Sequence, residues 1–292
     1  MPKPGSPRSW LLAVRPKTLT AGLTPVVVGS AIAYRFDAFS PARTAAAVGV
    51  ALGIQVGTNL VNDVADFRKG ADAAGRLGPP RVTQLGLLSP HAVTAGALVC
   101  FAVAGALGLW LASVTTWWLL LPGAVALVSG VVYTAGPAPI AYVGLGEPFV
   151  FAFFGLFATA GTAYVQVGSV PAEAWWSGAA LGLLATAILE VNNIRDAATD
   201  APSGKRTLAV RLGDRAARRL FGLLLVAAFA LGSAAELPWS LIVLAALPLA
   251  YVPARMVLSG VTGALLNRAL GATARLELVF GLLLSAGIAA SG

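Results

Sequence analysis

The run Thr44–Val61, TAAAVGVALGIQVGTNLV, carries no charged residue and passes straight into Asn62-Asp63-Val64-Ala65-Asp66-Phe67-Arg68-Lys69. Its length approaches the ~20 apolar residues that a helix needs to cross a hydrocarbon core ~30 Å thick. Eight similar segments surround it, near Thr18–Tyr34, His91–Ser113, Thr116–Thr134, Gly146–Val165, Ala172–Val191, Ala216–Ala235, Pro238–Leu258 and Leu276–Ser291. Backbone groups in hydrocarbon must find partners within their own segment, and the runs lack the alternation of a barrel strand, so the spans are expected to be helices. The expected fold is an all-α, polytopic membrane protein of nine transmembrane helices in a single domain. Abundant Gly and Ala within the segments suit close helix packing in lipid.

Composition agrees with this reading and excludes others. Of 292 residues, 58% are apolar and 11% charged, against roughly 25% charged in soluble domains. A single cysteine, Cys100, and a single histidine, His91, rule out a disulfide framework, a His/Cys zinc site, a bis-histidine haem and an Fe–S cluster. Any metal is therefore held by oxygen. Cys100 reads as core packing and His91 as an interfacial residue. The formal charge of +8 reflects topology rather than nucleic-acid binding: with the N-terminus cytoplasmic, 18 of the 20 Lys and Arg fall inside, leaving Arg35 and Arg43 outside. The first segment follows Lys3, Arg8, Arg15 and Lys17, and with no clear cleavage site it is read as a retained signal anchor. These features place the chain in the cell (inner) membrane.

Chemistry is expected on the inner face, where the two long loops lie, near Asn62–Pro90 and Asn193–Arg215. Val61-Asn62-Asp63-Val64-Ala65-Asp66 is echoed 130 residues later by Val191-Asn192-Asn193-Ile194-Arg195-Asp196. Each run closes an even-numbered segment, so the chain reads as a four-helix unit, approximately 18–134, repeated at 146–258 and followed by a ninth helix. On a continuing helix, Asn59, Asp63 and Asp66 share a face, with Asn62 one turn before Asp66, and Asn192, Asp196 and Asp200 stand at successive i, i+4 positions. Carboxylates on one face repel one another unless a cation lies between them. Two such faces make an all-oxygen site suited to Mg²⁺. The competing reading is a pair of solvated helix ends whose acids pair with Arg68, Lys69, Arg195 and Lys205.

Basic residues interleave with the acids: Arg68, Lys69, Arg76 and Arg81 in the first loop, Arg195, Lys205, Arg206 and Arg211 in the second. Acids with Mg²⁺ beside Lys and Arg fit a diphosphate, bridged by metal on one side and clamped by charge on the other. The turns Gly78-Pro79-Pro80-Arg81 and Gly204-Lys205 would present Arg81 and Lys205. No GxxxxGK[ST] loop is present, which leaves nucleotide hydrolysis unsupported. Tyr133 is either an interfacial aromatic or faces a cavity where its ring stabilises a cation. Gln55, Thr58 and Glu190 lie inside spans near their inner ends; a buried ionisable group there is a site candidate, with a structural role for Glu190 equally open.

These motifs resemble the UbiA superfamily of intramembrane aromatic prenyltransferases. Arg15-Pro16-Lys17-Thr18, Gly57 to Asp63 running on through Asp66-Phe67-Arg68-Lys69-Gly70-Ala71-Asp72, Gly78 to Gln84, Gly144-Leu145-Gly146-Glu147, and Asn192 to Asp196 with Gly204 to Leu208 are similar to the 1,4-dihydroxy-2-naphthoate polyprenyltransferase branch. The likeness runs from about residue 10 to 215. Two departures from the wider superfamily stand out. The acid usual four residues after Asp66 is Gly70, so its role would pass to Asp72, and Pro137 replaces the lysine of a Tyr-x-x-x-Lys motif after Tyr133.

The resemblance implies that Asp63, Asp66, Asp196 and Asp200 hold Mg²⁺ and bind the diphosphate of a long allylic donor. The C–O bond then ionises, and the naphthoate ring attacks with loss of CO₂ and a proton to give a demethylmenaquinone. Tyr133 is the further catalytic candidate. Gln55, Asn59, Asn62, Lys69, Asp72, Arg76, Arg81, Glu190, Asn192 and Lys205 are the substrate-binding candidates. Other acceptors (4-hydroxybenzoate, homogentisate, a chlorin) are the nearest alternative. A cation-coupled transporter is disfavoured because the two halves share one orientation and the acids sit at helix ends rather than mid-membrane.

Overall fold

The computed structural model describes residues 2–68, 77–78, 81–136 and 139–292, and not the side chain of Lys17. Lys69, Asp72 and Arg76 lie outside the described residues, as do Pro79 and Pro80 of the first expected turn and Pro137. Among the described residues every regular element is helical. The order is α1 (Pro7–Val14), α2 (Pro16–Arg35), α3 (Pro41–Arg68), α4 (Pro90–Val114), α5 (Leu120–Val132), α6 (Gly146–Phe151), α7 (Ala158–Val167), α8 (Ala172–Asp200), α9 (Leu208–Leu212), α10 (Asp214–Ser233), α11 (Leu247–Leu258) and α12 (Leu266–Ala290). A π-helical segment, Ala152–Phe157, joins α6 to α7 as one continuous rod. Among the described residues seven helices are long and apolar enough to cross a membrane; Trp117–Val132 is apolar but shorter.

Two helices decide where the site can be. α3 has 28 residues and α8 has 29, so at 1.5 Å per residue they run about 42 and 44 Å, more than a hydrocarbon core requires. Their last two to three turns carry the acidic runs beyond the apolar stretch. The last helix begins earlier than the expected Leu276: α12 starts at Leu266, because Leu266, Ala269 and Thr273 are buried at helical spacing while Asn267 and Arg268 interrupt the apolar run.

α8 is the central post. Its Leu181, Leu184, Ala187 and Val191 are fully buried against α2, α10 and α12, where Ile32, Phe221 and Phe280 sit. Small residues set the crossing with the π segment. A Cβ on Gly155 would lie 2.4 Å from the Gly178 carbonyl, so the two backbones touch directly. In the first half α3 pairs with α4 around Leu60, Val64, Val93 and Ala97. Leu98, Val99, Leu121, Val128, Leu223 and Val226 point outward and exposed, the surface expected of a lipid-facing bundle.

The end away from the acidic runs is tied by polar contacts. Arg35 pairs with Glu173 and, at 2.9 Å, with Glu236. Arg43 donates to the carbonyl of Val165 at 2.9 Å. At the other end, α1 and α2 break at Arg15, whose φ of 56° precedes Pro16, a residue that starts a helix but cannot continue one.

Candidate active site

The amides of Gln55 and Asn59 serve the break between α1 and α2. Asn59 Nδ2 donates to the carbonyl of Val14 at 3.0 Å and to Thr18 Oγ1 at 3.2 Å, and Gln55 Nε2 to the carbonyl of Thr18 at 3.3 Å. Both residues also line a cavity of about 370 Å³, together with Asn62 and Tyr133. This cavity follows α3 from Ala47 to Asn62, about 22 Å at helical rise. Apart from Thr58 and Thr162, its remaining wall is apolar, with Val26, Leu111 and Val165. Along one side runs an aromatic ladder. Ring centroids are 6.0 Å apart for Tyr133 and Phe149, 4.3 Å for Phe149 and Phe153, and 5.3 Å for Phe153 and Phe157.

One turn beyond Asn62, the polar ends of α3 and α8 meet around Tyr142. Tyr142 Oη donates to Asp66 Oδ1 at 3.0 Å, and the Asp66 carboxylate also pairs with the guanidinium of Arg81. Lys205 Nζ sits 5.0 Å from the Tyr142 ring centroid and 3.5 Å from the Asp200 carboxylate. Asp66 of the first half and Asp200 of the second are thus linked through one phenol and one ammonium. Burial, with the adjacent Asp66 carboxylate, holds the Tyr142 phenol well above its ordinary pKa, which keeps it a donor at neutral pH. Gly204, at φ 79°, makes the turn that returns the chain so that the Lys205 N–H reaches the Asp200 carbonyl at 3.1 Å.

Asp196 and Asn192 are gathered by a buried cation. Arg195 grips Asp196 through Nε at 2.8 Å and Nη2 at 2.6 Å, and reaches Asn192 Oδ1 at 2.5 Å and Asn267 Oδ1 at 2.7 Å. Asn267 in turn donates to the carbonyl of Leu77 at 2.8 Å, so α12 spans from the second acidic run to the first loop. Arg195 is therefore held by Asp196, Asn192 and Asn267, while Arg81 pairs with Asp66 and Lys205 with Asp200.

The four aspartates do not converge as one set. Asp63 turns instead to the first loop, where its two oxygens accept the backbone N–H groups of Val82 and Thr83 at 3.1 and 3.0 Å. Among the described residues no three His, Cys, Asp or Glu side chains lie close enough to hold an ion by themselves. The ligands available around Tyr142, the carboxylates of Asp66 and Asp200, are oxygen donors, the kind a hard divalent ion takes. Asn62 Oδ1 accepts from the Thr134 hydroxyl. Glu190 does not line the cavity. It is fully buried near Glu147, whose Oε1 accepts from Asn193 Nδ2 at 2.7 Å.

Sequence reasoning missed Tyr142, Asn267 and the phenylalanine ladder. The i, i+4 spacing of Phe149, Phe153 and Phe157 was the available signal, muted by a background in which every neighbour is also apolar. Nothing in the sequence marks Asn267 as a partner of Leu77.

The comparisons with known proteins bear on this geometry. The chain is 37% identical over 284 residues to the 1,4-dihydroxy-2-naphthoate octaprenyltransferase of Mycobacterium tuberculosis, covering 96% of each chain. It is 35% identical over 263 residues to the protein of the same name from Escherichia coli K12, covering 86% of this chain and 85% of that one. Its fold matches the apo structure of a UbiA homolog from Aeropyrum pernix K1 with a TM-score of 0.69 at 20% identity, over 94% of this chain and 97% of that one. It also matches a UbiA homolog from Archaeoglobus fulgidus bound to DMAPP and Mg²⁺, with a TM-score of 0.63 at 15% identity, over 94% and 98%. Residues 22–275 match the pattern of the UbiA prenyltransferase family, and the chain belongs to that family.

Proposed function

We propose that the protein transfers a polyprenyl group from a polyprenyl diphosphate to 1,4-dihydroxy-2-naphthoate, with loss of CO₂, to give a demethylmenaquinone. The observation that carries this reading is the junction of Asp66, Arg81, Tyr142, Lys205 and Asp200 one turn beyond a long apolar cavity. An anion is bound at one end and a hydrocarbon chain at the other. Relatives of the stated name and high coverage support the naphthoate acceptor.

Arg81 and Lys205 would pair with the diphosphate oxygens, and Asp66, Asp196 and Asp200 would hold the divalent ion. When bound, that ion neutralises charge on the departing diphosphate. The apolar cavity takes the isoprenoid tail, each buried CH₂ contributing about 0.8 kcal/mol. As the allylic C–O bond breaks, its electron pair leaves with the diphosphate, where Arg81 and Lys205 meet the growing negative charge. Tyr133 and Phe149, which line the cavity, would flank the carbon that becomes positive, a position in which ring quadrupoles stabilise a cation. The cavity walls keep water away from that carbon until the electron-rich ring attacks.

The site opens to the cytoplasm in this reading, and the bundle has nine spans, counting α2 and Trp117–Val132 with the seven longer helices. The Lys and Arg distribution supports the orientation. The pairing of α3 with α4, repeated by α8 with α10, supports a duplicated four-helix unit followed by α12. The test is direct. Purified protein with 1,4-dihydroxy-2-naphthoate, a polyprenyl diphosphate and Mg²⁺ yields a product whose mass is that of the prenylated, decarboxylated ring. A product retaining the carboxylate, or transfer only to another acceptor, refutes the assignment.

A further inference from the structure

We propose that Asp63 is a positioning residue: it fixes the Arg81–Thr83 segment so that Arg81 faces Asp66, and it is not one of the groups that hold the divalent ion. The inference rests on the function proposed above only for what Arg81 does, not for what Asp63 binds. Asp63 is 1% exposed. Its Oδ2 accepts from Val82 N and its Oδ1 from Thr83 N, so each oxygen is oriented by its own backbone donor. The segment it grips is itself a closed turn. Leu85 N donates to the Arg81 carbonyl at 3.1 Å and Leu87 N to the Val82 carbonyl at 2.9 Å, and the Val82 side chain is fully buried beside Leu60 and Val64. Arg81, the residue immediately before the two gripped amides, is 4% exposed and lies against Asp66, three positions after Asp63 on α3.

The second half of the molecule uses the equivalent position in the same way. Asn193, 130 residues after Asp63, turns to Glu147 at the start of α6, while its neighbours Asn192 and Asp196 are gathered by Arg195. In both halves, then, this position ties a helix end to a neighbouring segment, and the positions one before and three after serve the site.

Two measurements test the assignment, the first without any substitution. In the wild-type protein, native-state hydrogen exchange at the Val82 and Thr83 amides is slow, and it stays slow when Mg²⁺ and pyrophosphate are added. Release of those amides on addition would mean that Asp63 turns to the ion, and would overturn the proposal. The second measurement uses Asp63→Asn, whose side-chain NH₂ must oppose one of the two N–H donors. Exchange at Val82 and Thr83 accelerates by about tenfold or more while the rest of α3 is unchanged. The KM for the prenyl diphosphate rises by about tenfold, with a smaller fall in kcat, as expected when a binding group is displaced. The Mg²⁺ concentration for half-maximal rate stays within about twofold of wild type, whereas Asp66→Asn raises it by about tenfold or more. Arg81→Lys reproduces the KM change and leaves the exchange pattern of wild type. A rise in the Mg²⁺ requirement of Asp63→Asn equal to that of Asp66→Asn refutes the proposal. Absence of prenyl transfer in the wild type would refute the enzymatic reading and leave the exchange result to judge Asp63 alone.

Discussion

Tyr142 stands between the two acidic helix ends. It donates to Asp66, lies beneath Lys205, and so couples the two acidic helix ends. Tyr142→Phe keeps the ring and removes the donor. A lost hydrogen bond to a charged group costs about 1.5–3 kcal/mol, so kcat/KM falls by about tenfold or more, measured with saturating acceptor; an unchanged value would show the phenol to be idle. Asp66→Asn and Asp196→Asn remove charge at the proposed ion site and lower kcat by at least about a hundredfold; each also takes the counter-charge from a buried guanidinium, Arg81 or Arg195, so melting in detergent falls while the helical fold is kept. Turnover near the wild-type rate in either folded variant would remove that residue from the site. The aspartates themselves were legible as i, i+4 stripes beside amides. That Asp63 takes different partners from Asp66 was not legible, because it depends on the Arg81–Thr83 segment folding back onto α3, a contact 19 to 20 residues away in sequence that periodicity does not encode.

α3 and α8 owe their function to being longer than a bilayer is thick, and this was readable where each apolar run passes into an acidic one without Gly or Pro. The start of α12 was not: Asn267 and Arg268 read as loop, yet Leu266 and Ala269 are buried and the helix begins there. The packing of α8 against the π segment depends on bare backbone. In Gly155→Val the added carbons meet the Gly178 carbonyl and the Gly182 backbone. Such overpacking costs about 1–3 kcal/mol or more, seen as a lower melting temperature in detergent. Gly123→Ala, where a Cβ meets nothing within 4 Å, is the control that leaves it unchanged.

For the molecule as a whole, charge is set at one end of a bundle and an apolar chamber within it, and the proposed function has the chamber read donor length. Gly161 lines the cavity and a Cβ there meets nothing within 4 Å. Gly161→Phe therefore fills space rather than breaking contacts. Displacing two CH₂ groups of a long donor corresponds to about 1.6 kcal/mol, or more than tenfold in KM, while a five-carbon donor is used as before. Equal effects on both donors would place the tail elsewhere. The helical, membrane-spanning character was visible in the apolar runs of the sequence, since a bilayer imposes a length rule on every span. The cavity was not, because it is a property of how the spans meet. The claim on which the rest depends is that carboxylates from both halves hold one diphosphate through a divalent ion, and calorimetric binding of pyrophosphate tests it most directly. Binding that requires Mg²⁺ in the wild type and is lost in both Asp66→Asn and Asp200→Asn is the expected result; binding of wild-type strength in either variant, or without any divalent ion, would contradict it.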